Sequence, residues 1–162
     1  MKNIKKLLVF ILIAVSLLAL ASCDDKPQPK KLEDVLPELA ENQIAVIICN
    51  SEGDYDVYIF NPAAQIKTVE DVLAALKRSG RLNLDWTDST YGKYINSIGK
   101  LTPDASKNEY IEVFTSNPDY QGTWAGVTTI EAGDVTLKSA SVGVSELKVA
   151  AGDVIYFELA TY

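Results

Sequence analysis

The chain of 162 residues has no histidine. That absence removes the commonest zinc ligand, the base of histidine-dependent triads and the usual general base near neutral pH. Cysteine is scarce as well, with only Cys23 and Cys49. Cys49 closes the β-rich run QIAVIIC and reads as a small apolar side chain in a strand. Positive charge is in the minority, with 15 basic against 22 acidic side chains. A chain of this sign repels nucleic acid and anionic lipid, so nucleic acid is not an expected partner. Neither a cofactor nor a metal is expected.

The first stretch is different in kind. MKNIKK is basic, and Leu7 to Ala21 is apolar apart from Ser16, ending in Leu20-Ala21-Ser22-Cys23. This is a secretory signal over residues 1–22, shorter than the roughly 18 unbroken apolar residues of a spanning helix. Its end resembles a bacterial lipobox, which would make Cys23 the lipid-modified first residue of the mature protein. Several acyl chains on one residue anchor stably where one does not. The expected location is therefore the bacterial cell envelope, outside the cytoplasm, with the membrane as a partner through the lipid on Cys23. Loss of Lys2, Lys5 and Lys6 with the signal leaves 12 basic against 22 acidic side chains, a net charge of −10 over 140 residues. With Cys23 committed to lipid, Cys49 has no disulfide partner.

Residues 23–42 follow as an expected tether, because Asp24 to Asn42 holds three prolines and alternating charge blocks. Asp24 and Asp25 read either as a sorting signal or as a solvated spacer. Leu32, Val35, Leu36 and Leu39 have amphipathic spacing, but Pro37 interrupts a continuous helix. Residues 43–162 form the expected domain.

Within it, Gln43–Cys49 and Tyr55–Asn61 flank the polar turn Asn50–Asp54 and predict a β-hairpin. Glu52, Asp54 and Asp56 admit a calcium reading as well as a charged turn. The clearest segment is Thr68–Gly80, TVEDVLAALKRSG. Thr68 and Asp71 form an approximate capping box, Val69, Val72, Leu73 and Leu76 make an apolar stripe, and Lys77, Arg78 and Gly80 suit the carboxyl end. One amphipathic helix lying across a sheet follows. Leu82–Trp86, Tyr91–Gly99, Tyr110–Ser116 and Val154–Ala160 read as further strands, and the repeated Ala-Gly-Asp-Val at 132–135 and 151–154 reads as turn chemistry. The fold class predicted is α+β, a β-grasp-like mixed sheet packed on one main helix.

On these residues the domain resembles the C-terminal β-grasp-like domain of the cobalamin carriers intrinsic factor and transcobalamin, and related bacterial surface domains of unknown function. The matching pieces are Thr68–Leu73, Tyr91-Gly92 through Ile98-Gly99, and Val142–Val144 leading to Gly152–Phe157. That family commonly carries Trp-x-x-Tyr-x-Asn-Gly after the Tyr-Gly segment. Here the strand Tyr110–Ser116 runs into Asn117-Pro118 instead, so the likeness speaks to fold before ligand.

The resulting expectation is a non-catalytic, surface-tethered module that binds a soluble small molecule, with a corrinoid as the ligand the resemblance implies. Trp86, Tyr91, Tyr94, Tyr120 and Trp124 are the candidate binding residues, since aromatic rings suit a large flat ligand. Tyr120 and Trp124 have a second reading as side chains that cap the core. The alternative function is an interaction module for an envelope protein or glycan, pairing through a sheet edge. The carboxylate pairs Asp54/Asp56 and Asp85/Asp88 sit in turns and hydrophilic strand ends, where solvation accounts for them.

Overall fold

The computed structural model describes residues 30–50 and 54–162. The signal segment, Cys23 and the Asp24-Asp25 pair lie outside the described residues, as does Glu52 of the calcium reading. Strands β1 (Ile44–Cys49) and β2 (Tyr55–Phe60) form the hairpin read from the sequence, in the register Ile47 opposite Val57. Helix α1 (Val69–Arg78) follows. Thr68 Oγ1 accepts from the Asp71 amide and the Asp71 carboxylate accepts from the Thr68 amide, so each end of the box satisfies a free donor of the other. Such a cap stabilises by about 1 kcal/mol.

Then come β3 (Leu84–Ser89) and β4 (Gly92–Ile98), a separate two-stranded ribbon, followed by β5 (Glu109–Thr115), β6 (Thr129–Ala132), β7 (Val135–Ser139) and β8 (Val154–Thr161). The main sheet has six strands in the order β2-β1-β8-β5-β7-β6, with β1 and β8 parallel and the other neighbours antiparallel. The architecture is thus a large mixed sheet with one α-helix among the described residues.

Strand parity divides the core in two. Ile44, Val46 and Ile48 of β1 and Ile155 and Phe157 of β8 share one face, and they cluster with Val69, Val72, Leu73 and Leu76 of α1. Ala45, Ile47, Phe114, Val154 and Tyr156 point the other way. A strand between two apolar layers has no polar face, which is why β1 reads as continuously apolar.

The second face shows a difference from the sequence reading. Composition makes residues 23–42 a tether, whereas Leu32 is buried and Val35, Leu36 and Leu39 pack with it against that face. A short 3-10 turn at Leu32–Asp34, closed by the Asp34 carboxylate on the Lys31 amide at 3.0 Å, starts this covering segment. Pro37 bars a helix there, but an extended chain needs none to reach the sheet. Leu32→Ala is expected to lower stability by about 2 kcal/mol in urea unfolding. A change below a few tenths would return the segment to the status of a free tether.

Among the described residues, no helix is long and apolar enough to cross a membrane.

Candidate functional site

The ribbon positions the site. Its turn is tight because Gly92 takes φ +97° and Ser89 Oγ both donates to the Gly92 carbonyl, at 2.7 Å, and accepts from the Tyr91 amide. The Lys93 amide donates to Ser145 Oγ at 2.9 Å, which ties the ribbon to the loop between β7 and β8. That same loop supplies carbonyls to the first free amides of α1: Leu147 accepts from Val69 and Val144 from Glu70, both at 2.9 Å. Unsatisfied helix amides need such partners, so the loop is held between helix and ribbon.

Between β4 and β5 this arrangement leaves a cleft of about 160 Å³. Tyr94, Ile95, Tyr110, Val113, Gly143 and Tyr162 are among its lining residues. Tyr110 and Tyr162 stack with ring centroids 4.7 Å apart and an interplanar angle of 23°. The β5–β8 register produces the stack: Tyr110 lies opposite Ala160, and Tyr162, two residues on, falls on the same face with its amide donating to the Asn108 carbonyl. Burial, followed by the charge of Glu112, pushes the Tyr110 phenol up from its ordinary range. The cation at the rim, Lys93, is bound to Asp88 at 2.5 Å and stands 5.6 Å from the centroid of the Trp86 ring. The cleft therefore offers mainly apolar area, with its lysine already engaged and the Tyr110 hydroxyl turned toward Glu112.

Of the five aromatic residues singled out by sequence, Tyr94 alone lines this cleft, and it is 56% exposed. Trp86 packs against the helix-side core, with Lys77 and Lys93 each 5.6 Å from its ring. Tyr91 stands in solvent at the ribbon turn. Tyr120 packs on the core, and its carbonyl accepts from the Ser141 amide and hydroxyl. Trp124 is half exposed and folds back over Gly122, where any side chain would meet its ring. Trp86 opposes Ile95 while Tyr94 opposes Thr87, so Trp86 and Tyr94 project from opposite faces of the ribbon. Sequence reasoning missed Tyr110 and Tyr162. Their signal was strand parity joined to a pairing register, which one sequence does not supply.

Other features are weaker as sites. A shallower polar hollow is lined by Ser116, Gln121, Asp134, Thr136 and Gly152, so the two Ala-Gly-Asp-Val turns meet there. Among the described residues, no three His, Cys, Asp or Glu side chains gather closely enough to hold a metal ion. Of the carboxylates weighed for acid–base work, Asp85 accepts from Asn96 Nδ2 at 3.0 Å and Asp88 is paired with Lys93.

No protein family matches the chain by sequence, and no curated protein does. Solved structures do match in shape. A protein of Ruminococcus gnavus ATCC 29149, provisionally described as metal binding, superposes with a TM-score of 0.51 at 17% identity, over 75% of this chain and 99% of its own. Haptocorrin in complex with Cbi superposes with a TM-score of 0.53 at 11% identity, over 78% of this chain but 27% of its own. At these identities the likeness shows a distant common fold.

Proposed function

We propose that the chain is a non-catalytic, lipid-anchored binding module of the bacterial envelope, taking a flat, mainly apolar small molecule at the cleft between β4 and β5. The observation that carries this reading is the convergence of Tyr94 with the stacked Tyr110 and Tyr162 on one concavity, beside the backbone of Gly143. Apolar walls with a few polar tips are the usual make-up of a small-molecule site. The fold reading that goes with it is β-grasp-like, supported by a hairpin, a helix on one face and a parallel pairing of β1 with β8.

Size limits what the cleft holds. At about 160 Å³ it is below the roughly 300 Å³ at which pockets enclose drug-sized molecules. A corrinoid, the ligand class to test first, would insert only an edge or side arm, with its plane against the exposed Tyr94. Haptocorrin in complex with Cbi is the neighbour that supports trying this class. Partial burial implies affinity on the order of micromolar.

Titrating cobinamide and cobalamin into the detergent-solubilised protein, with intrinsic tryptophan fluorescence as the reading, tests this. Saturable quenching is expected, weakened about 10-fold by Tyr94→Ala and by Tyr162→Ala and unchanged by Trp124→Ala. A flat titration to roughly 100 micromolar, far above that affinity, would remove the corrinoid version.

A second reading rests on the edge strand β2, where Val57 and Ile59 are 37% and 39% exposed. An edge with exposed apolar residues suits strand addition by an envelope protein. A stoichiometric partner captured from solubilised envelope and lost in Ile59→Lys favours it over the cleft.

A further inference from the structure

Next to Tyr110 of the cleft, the second face of the sheet carries two acids that face one another. The β5–β8 register sets Glu112 directly opposite Glu158. Residues so placed hold their Cβ atoms about 5 Å apart, close enough for like charges to repel. Hydroxyl groups surround the pair: Tyr156 donates to Glu158 Oε2 at 2.8 Å, Ser139 donates to Glu112 Oε1 at 2.6 Å, and the Tyr110 hydroxyl lies 3.5 Å from Glu112 Oε2. From β1 and β2 the facing groups are Cys49 and Tyr55, which pair with each other, and Asp34 of the 3-10 turn lies beyond Tyr55. None of these can carry positive charge; the cations of the covering segment, Lys30 and Lys31, line the hollow beyond Tyr55, where Lys31 pairs with Glu33. The ion pairs among the described residues use Lys31, Lys93 and Lys107 elsewhere.

We propose that Glu112 and Glu158 share a single proton under mildly acidic conditions, and that this shared proton clasps β5 to β8. A carboxyl group opposite a carboxylate can donate to it, turning a repulsive cross-strand pair into a bonded one. The surroundings agree. Burial raises the Glu158 carboxyl above its ordinary range, the bond from Tyr156 opposes this, and the charge of Glu112 raises it further. An acid raised in the folded state stabilises fully below its unfolded value of about 4.3, and that contribution fades as pH climbs through the raised value. The clasp thus tightens on acidification and loosens toward neutrality.

The whole chain loses negative charge in acid, so wild-type stability alone does not isolate the pair. Thermal unfolding of Glu158→Gln against wild type does, with the exposed Glu41→Gln as a charge-matched control. Glu158→Gln is expected to melt about 2–4 °C above wild type at pH 8, with the gap closing by about pH 4.5, while Glu41→Gln moves little at either pH. Glu112→Gln should give the same pattern and replaces Glu158→Gln if that variant does not fold. Carboxyl carbon NMR of the unmodified protein should show one of the two glutamates titrating above the exposed ones. A variant less stable than wild type at both pH values, a gap independent of pH, or two glutamates that titrate with the rest would overturn the proposal.

Discussion

Leu73→Ala is expected to destabilise the protein by about 3–4 kcal/mol, shifting the urea midpoint without changing the slope. Leu73 is fully buried and belongs to the cluster that joins α1 to β1 and β8. Truncation there removes apolar contact and leaves a cavity that a helix held at its start cannot fully close. That start is held by the capping box and by the Leu147 and Val144 carbonyls. Against a total stability of roughly 5–15 kcal/mol, the loss is a large share. Arg78→Ala, on the solvent side of the last turn, should stay within about 0.5 kcal/mol. Near-equal effects of the two would mean that the helix does not cover the sheet.

The second large effect is Gly92→Ala. At φ +97° an L side chain is strained by about 1–3 kcal/mol. A Cβ built on Gly92 would also fall 2.5 Å from Ser145 Oγ and 2.6 Å from Ser145 Cβ, an overlap that costs a further 1–3 kcal/mol or so. Ser145 cannot retreat freely, because its hydroxyl holds the Lys93 amide and its loop caps the helix. The expected result is a loss of about 3 kcal/mol and, in the molecules still folded, a ribbon displaced from the loop. Tyr94 and Gly143 then no longer share a cleft, so ligand affinity should fall with stability. Ser145→Gly removes the overlap together with the acceptor of the Lys93 amide, so the comparison is made within that background: there Gly92→Ala should cost the backbone strain alone, roughly half of its cost in the wild type. An equal cost in both backgrounds would mean that Gly92 and Ser145 are not in contact.

What was legible from sequence follows from the range of the interactions involved. The helix was read nearly residue by residue because its signals lie within one turn of each other: Thr68 with Asp71 at the start, Lys77 and Arg78 at the end. The β1–β2 hairpin and the final strand were equally local, being β-rich runs bounded by turns. The repeat at Ala132–Val135 proved to be the reversal between β6 and β7, in which Ala132 and Val135 pair. The separation of β3 and β4 from the main sheet was not visible, since nothing within Leu84–Ile98 says which strands it will avoid.

The site was less legible for the same reason. Aromatic residues on polar or turn-rich stretches include Tyr94 of the cleft but also Tyr120 and Trp124, which lie on the core and over Gly122. Tyr110 and Tyr162 are 52 residues apart by number and meet only through the β5–β8 register. Composition hides the packing of residues 30–39, because four apolar side chains in a polar, proline-containing stretch suffice to hold an extended segment against an exposed sheet face.

The most direct test of the account is to map, by amide NMR of the labelled protein, where cobinamide lands. Recognition at the ribbon predicts saturable shifts confined to residues around Tyr94, Tyr110, Gly143 and Tyr162, with the Tyr120–Trp124 loop and β2 silent. Shifts centred on that loop or on β2, or none at all with a well-folded spectrum, would contradict it.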